Sequence, residues 1–346
     1  TYSTASLPKS GTYSISIYDH ALNSTLDYQF SLFTSGTPID TTDAGSGSIQ
    51  NGRYYARTLQ PGELNVNTLR VRAGGSIYAA HAEQTPVGGS SDDSSPAVAI
   101  IGPNGNLLDS VSDYDGASTL VQNVTTDGLY YIVTFDQNAN SAMQTGLTVA
   151  AGRAEAPVDD GNNNGLLVEG SPRTSTYAPG EINVYPIAAE DGTSLNVTVT
   201  ETVTGGGSSD PSSPALILLS PDGSVLYNEW GYVSTSANIA GLPLTGEYLA
   251  LVFDRLHDAS TELRVSRIGG GSPFATLNHY DEILTVYGTG GNDVISASNT
   301  LGTSGQVSVT RGPKTLTFPL ARTGRMEVYP GAGDDKVTLS ETFPVN

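Results

Sequence analysis

Two short stretches near the C-terminus set glycine beside aspartate, Gly290-Gly291-Asn292-Asp293 and Ala332-Gly333-Asp334-Asp335, 42 residues apart. A third stretch, Asp159-Asp160-Gly161-Asn162-Asn163-Asn164-Gly165, packs oxygen-bearing side chains still more densely. Oxygens at that density suit a hard cation such as calcium, which takes six to eight of them at about 2.3–2.6 Å. In the 159–165 stretch the EF-hand pattern fails for want of the closing Glu and the helices. A hydrated, flexible linker is the competing reading there. For Asn292, Asp293, Asp334 and Asp335 the competing reading is a pair of Asx-type turns with their carboxylates in solvent.

Catalytic chemistry leaves no comparable pattern. The chain has no Cys, so thiol nucleophiles and thiolate metal sites are excluded. Its four histidines, His20, His81, His257 and His279, do not recur between the repeats described below, and none has a recognisable orienting partner. There is no Gly-x-Ser-x-Gly elbow, no His-Glu-x-x-His and no phosphate-binding glycine loop. Glycosidase carboxylates are set by spatial separation, which spacing does not reveal. The reading is a non-enzyme. Trp230, the sole Trp, and Tyr54, Tyr55, Tyr227 and Tyr232 could stack on a sugar or pack on a sheet face.

The elements that position these residues come from repetition. Pro61-Gly62-Glu63-Leu64-Asn65-Val66 returns 118 residues later as Pro179-Gly180-Glu181-Ile182-Asn183-Val184. With no gap, Ser94-Ser95-Pro96-Ala97 then falls on Ser212-Ser213-Pro214-Ala215, Pro103-Asn104-Gly105 on Pro221-Asp222-Gly223, and Phe135-Asp136 on Phe253-Asp254. Two copies of one unit follow, residues 52–150 and 170–268. A partial third copy lies at 1–33, where Leu7-Pro8 to Tyr18-Asp19 mirrors Leu242-Pro243 to Phe253-Asp254. It is expected to form the last strands of an incomplete repeat. The connectors are a linker at 34–51 and an acidic, Asn-Gly linker at 151–169, with a distinct β region at 274–346.

Inside each copy the hydrophobic period is two: Leu195, Val197 and Val199 alternate with Asn196, Thr198 and Thr200. Short apolar runs such as Val98-Ala99-Ile100-Ile101 end in Pro-Asn-Gly or Pro-Asp-Gly turns. No window shows a capped helix. The fold class is therefore all-β, tandem antiparallel sandwiches of about 100 residues each. The C-terminal region is expected to be a β-roll or β-helix, or a small sandwich in which Arg311-Gly312-Pro313-Lys314 turns a hairpin.

Composition narrows the setting. The 346 residues carry 35 acids against 15 bases, net −20, with 40 Gly and 19 Pro. An acidic chain is not a nucleic-acid binder. No apolar run approaches the ~18 residues of a membrane span. The start, Thr1-Tyr2-Ser3-Thr4, reads as that of a processed product or a fragment.

The ordered series of Pro-Gly-Glu, alternating strand, Pro-Asn/Asp-Gly turn and closing Leu-Pro-x-Ser/Thr-Gly-x-Tyr resembles the bacterial pre-peptidase C-terminal (PPC-like) domain. The resemblance covers both full copies and the remnant. It implies a non-catalytic β-sandwich of secreted bacterial enzymes and surface proteins, in some members binding calcium or a polymeric substrate. The chain departs from that family at its acidic stretch, where Ser94-Ser95-Pro96 and Ser212-Ser213-Pro214 stand, so no calcium site is carried over to that place. The C-terminal turns resemble the hemolysin-type, repeats-in-toxin calcium motif: Gly291, Asp293 and Ile295 match its last defined positions, as do Gly333, Asp335 and Val337. In that family the glycines let carbonyls turn inward and the Asp oxygens complete the shell. Its sites are shared between successive turns, and the intervening turn here carries Lys314.

These readings lead to a non-catalytic extracellular or cell-surface protein of a bacterium, a filament, surface-layer or adhesin-stalk subunit, with calcium as its cofactor. Residues 1–33 present open strand edges, so the expected partner is another copy, added head to tail into a homopolymer. The alternative is a set of accessory modules that hold a secreted hydrolase on an extracellular polymer or cell surface.

Overall fold

The computed structural model describes residues 12–15, 17, 31–34, 45–84, 95–138, 142–158, 165–202, 213–255, 261–278, 280–300, 306–319 and 323–340. Among them the architecture is all-β, and no helix is long and apolar enough to cross a membrane.

The first sandwich has a front sheet in the order β1 (Gly47–Ser48), β3 (Leu64–Val71), β8 (Gly128–Asp136), β5 (Pro96–Ile101), β6 (Leu107–Ser112). Its back sheet runs β2 (Tyr54–Leu59), β9 (Met143–Ala151), β4 (Ile77–Glu83), β7 (Gly116–Val121). Alternate residues of these strands point between the sheets: Ile77, Ala79, Val98, Ile100, Tyr130, Ile132, Leu147 and Val149 form one buried cluster.

The second sandwich repeats the plan. Its front sheet is β11 (Asn183–Ala189), β16 (Gly246–Asp254), β13 (Pro214–Leu219), β14 (Val225–Trp230). Its back sheet is β10 (Arg173–Tyr177), β17 (Thr261–Gly269), β12 (Leu195–Glu201), β15 (Ser234–Ile239). Small fixtures recur with the strands. Tyr130 Oη donates to the Thr126 carbonyl at 2.5 Å, and Tyr248 Oη to that of Leu244 at 2.6 Å. Asp136 and Asp254, which recur between the copies, are buried at the ends of β8 and β16. Each accepts the amide before the neighbouring strand, Ser95 N at 2.9 Å and Ser213 N at 2.7 Å.

The two sandwiches are joined face to face. Tyr78 and Ala80 of β4 and Ala150 of β9, on the outer side of the first back sheet, share one buried cluster with Val184, Ala215, Ile217, Leu249, Leu251 and Phe253 of the second front sheet. The Tyr78 and Phe253 rings lie 4.7 Å apart. At one margin the Pro221-Asp222-Gly223 turn presses on the first sandwich. Gly223 has φ +86°, and a Cβ there would stand 2.7 Å from Gly75 Cα, so the approach requires glycine. The Gly223 carbonyl accepts from Ser76 Oγ at 2.8 Å, and the Pro179 carbonyl accepts from Gln84 Nε2 at 3.1 Å.

The C-terminal region has two sheets, β18 (Ala275–Asn278), β19 (Ile283–Thr289), β23 (Arg325–Gly331) and β22 (Lys314–Pro319), β21 (Gln306–Arg311), β20 (Val294–Thr300), β24 (Lys336–Leu339). β19 pairs parallel with β23, and β20 with β24, both at an offset of 42 residues. That is one coil stacked on the next. The stretch midway between them, Val307 to Leu316, is instead the antiparallel hairpin β21–β22 turned at Gly312-Pro313. The solenoid and hairpin readings of this region therefore both hold, each for its own strands. Ion pairs tie it to both sandwiches: Arg72 Nη1 to Glu282 Oε1 at 3.0 Å, and Lys314 to Glu190.

Candidate functional site

The two Gly-Asp stretches meet one above the other where the coils turn. Asp293 Oδ2 accepts the Thr289 amide at 2.6 Å and Thr289 Oγ1 at 2.9 Å within its own turn. These hydrogen bonds, with Arg311 adding a smaller effect, hold its carboxyl below the usual carboxylate range. Between coils, Asp335 Oδ1 accepts the Asp293 amide at 2.8 Å, and Asn292 Oδ1 accepts the Asp334 amide at 2.9 Å. The rings of Tyr287 and Tyr329 stack beside them at 5.8 Å.

The glycines serve the closeness of the coils. A Cβ on Gly331, at φ +95°, would lie 1.9 Å from the Thr289 carbonyl oxygen of the coil above. One carboxylate oxygen each of Asp293 and Asp335, and the Asn292 side-chain oxygen, are taken up by turn and coil hydrogen bonds. Among the described residues no group of three or more His, Cys, Asp or Glu converges as a metal site. Asp159 and Asp160 lie outside the described residues.

The five candidate stacking residues divide. Tyr54 Oη donates to the Pro179 carbonyl at 3.4 Å, and burial pushes its pKa up to about 12. Tyr55 and Tyr227 lean on the first and second cores, Tyr55 Oη accepting the Gln50 amide and Tyr227 Oη bonding Thr235 Oγ1 at 2.9 Å. Trp230 and Tyr232 are instead exposed and face each other edge-on at 5.3 Å. Arg255 lies over the indole, its Cζ 3.9 Å from the ring centroid, at cation–π distance.

The sheet order explains this meeting. Ala215 of β13 pairs with Trp230 on one side and Phe253 on the other, so residues at the ends of β14 and β16 flank the same strand end. Arg255 was not among the candidates, because its place beside Trp230 depends on strand order and not on spacing. The first sandwich has Ser112 and Gln137 at the corresponding positions, joined by a hydrogen bond. The platform belongs to the second copy alone. Of the histidines, His81 is buried in the first core, with Nδ1 3.0 Å from the Ala97 carbonyl oxygen. His20, His257 and His279 lie outside the described residues.

No family model matches the chain, and no curated protein matches it. Among solved structures it is similar to the CUB1-EGF-CUB2 domain of human MASP-1/3, at 11% identity over 62% of this chain and 99% of that one, TM-score 0.18. It is also similar to tripeptidyl peptidase 2, at 11% identity over 64% of this chain and 24% of that one, TM-score 0.23. A third is the PBSX exported protein XepA, at 12% identity over 64% of this chain and 88% of that one, TM-score 0.19. Likenesses this slight carry no argument about activity.

Proposed function

We propose that the chain is a non-catalytic structural protein of the bacterial cell exterior, a stalk or filament segment whose length comes from stacked sandwiches. The observation that supports it is the buried apolar interface between the sandwiches. Leu251 and Ile217 are fully buried there, as core residues are, so the two units behave as one stiff body and not as beads on a linker. Assembly runs through residues 1–33, whose exposed Tyr13, Ile15 and Leu32 pair head to tail with strands of another copy. Light scattering and electron microscopy of the purified chain test this: elongated, concentration-dependent assemblies are expected, and a monodisperse monomer rejects the assembly.

Calcium enters this reading as a stabiliser of the stacked coils. A melting temperature that does not move between millimolar calcium and a chelator removes it.

A second reading, the accessory binding module, is favoured by Trp230, Tyr232 and Arg255. The Arg255 guanidinium covers one face of the exposed indole, and the opposite face is of the flat apolar kind that stacks on a sugar ring. Trp230 is the chain's sole Trp, so its fluorescence reports the site directly. Titration with soluble cellulose and chitin oligosaccharides is expected to shift the emission and to lose the shift in Arg255→Ala. A flat titration, with no retention on cellulose, chitin or collagen, leaves the structural reading alone.

A further inference from the structure

The interface between the sandwiches has a counterpart on the outer side of the first front sheet. Among the residues of the second front sheet in that interface are Val184, Ala215, Ile217, Leu249, Leu251 and Phe253. Counting back 118 residues gives Val66, Ala97, Ala99, Tyr131, Val133 and Phe135. All six form a separate buried cluster on the outer side of the first front sheet. The same apolar face is therefore built twice, once against a known neighbour.

What lies on the second instance is the N-terminal stretch. Phe33 packs against Tyr131 with ring centroids 5.1 Å apart, and Ser31 Oγ donates to the Gly62 carbonyl at 2.6 Å. The remnant aligns with the first repeat at an offset of 117, Tyr13 on Tyr130 and Asp19 on Asp136. Phe33 then corresponds to Ala150, which sits in the established interface. Gly62 corresponds to Gly180, whose turn presses on β9 so closely that a Cβ there would stand 2.6 Å from the Gly146 carbonyl oxygen. Phe33, Tyr131 and Gly62 thus meet where their counterparts Ala150, Leu249 and Gly180 lie in the interface of the first sandwich with the second.

The other side of the remnant completes the argument. Tyr13, Ile15 and Leu32 are 46%, 56% and 64% exposed, while their counterparts Tyr130, Ile132 and Val149 are buried to 1% or less. They are core residues of a sandwich, exposed.

We propose that the front face of the first sandwich is the seat of a further sandwich of this same repeat, one to which Tyr13, Ile15, Leu32 and Phe33 belong. A folded second copy does not offer the matching surface. Its first back sheet is already covered, and the outer side of its second back sheet carries Asn196, Thr198 and Asn238 where the first has Tyr78, Ala80 and Leu120. The proposal rests on the structural reading above and adds where the completed sandwich sits.

Two experiments on the full chain test it. The chain has no Cys, so paired cysteines report contact cleanly. Phe33→Cys with Tyr131→Cys is expected to form an internal disulfide. Leu32→Cys with Tyr131→Cys, from the opposite side of the strand, is expected not to. Equal cross-linking in both pairs overturns the seat. In the second, a duplicate of residues 45–128 is fused directly ahead of residue 12, which restores the repeat register. Amide exchange in the stretch carrying Tyr13, Ile15 and Leu32 is expected to slow by about tenfold or more. Exchange unchanged from that of the original chain, with the two original sandwiches intact, overturns the proposal. Light scattering of the unmodified chain speaks to the assembly reading separately. A protected fusion from a chain that does not self-associate sinks only the assembly, whereas filaments from a chain whose fusion stays unprotected sink only the seat.

Discussion

The two back sheets are the same strands in the same order, and they do opposite things with their outer sides. In the first, Tyr78, Ala80 and Ala150 are buried under the neighbouring sandwich. In the second, Thr198 Oγ1 donates to Asn196 Oδ1 at 3.0 Å and bonds Ser236 Oγ at 2.9 Å, while Asn196 bonds Asn238, a polar ladder along β12 and β15. Ile268, the counterpart of Ala150, is 67% exposed. Inward positions obey the fold and stay apolar in both copies; outward positions obey the neighbour. A repeat protein can therefore fix the direction and the end of its stack by changing a few residues that the sandwich itself does not need.

The largest expected effect comes from charging the shared interface. Leu251→Asp places an unpaired carboxylate in the middle of it, at a cost of roughly 3–5 kcal/mol. Calorimetry is expected to show two separated transitions in place of one, with new protease cleavage between the sandwiches. Val133→Asp, its counterpart on the first front face, is expected to cost less, because what packs over that face among the described residues is Phe33 of the remnant and not a whole sandwich. Equal costs for the two would mean that the remnant already covers its seat as fully as a whole sandwich does.

A second difference lies inside the cores. His81 occupies the position that Val199 holds in the second sandwich, and both are buried. Burial, opposed by the bond to the Ala97 carbonyl and assisted by Arg57, lowers the imidazole pKa from 6.5 to about 4. The folded state thus favours neutral His81, while the unfolded chain takes up a proton below its ordinary pKa. The stability contributed is fully present above pH 6.5 and is lost as pH falls toward 4, on the order of 3 kcal/mol at the lower end. His81→Val is expected to flatten this part of the acid profile of the joined sandwiches. Denaturant titrations at pH 7 and pH 4.5 check it, and an unaltered pH slope in the variant would assign the acid sensitivity elsewhere.

Much of this fold was legible, and the illegible part has a physical cause. The gapless 118-residue register and the alternation of Leu195, Val197 and Val199 marked two sandwiches, because core positions are set by the chain itself. The joined faces left a signal too: Ile77-Tyr78-Ala79-Ala80 does not alternate, and a strand that is apolar on both sides is buried on both. Val98-Ala99-Ile100 carries the same mark. What the pattern withholds is the identity of the covering surface. The C-terminal turns were legible as Gly-Asp turns 42 residues apart and as a β-roll or a hairpin, but spacing did not tell which strands stack and which form the hairpin that divides the period. Trp230 was visible by rarity, whereas Arg255 comes beside it only through strand order.

The smallest effect on stability tests the end of the stack. Asn196→Tyr, Thr198→Ala and Asn238→Leu together give the second back sheet the residues of the first. All three positions lie on the outer side of their sheet, so the substitutions remove surface hydrogen bonds and leave the core intact. Stability is expected to change by no more than about 0.5 kcal/mol per site. Association should change more, because the new surface matches a face that the chain carries at its other end. Removing residues 1–34 from a second preparation frees that face on the first sandwich. Sedimentation velocity of the triple variant mixed with the shortened chain is expected to show a complex that neither forms when the original back face is present. No complex, with both preparations folded, would mean that apolar matching does not suffice and that the glycine turn at Gly223 and the bond to Ser76 set the stacking.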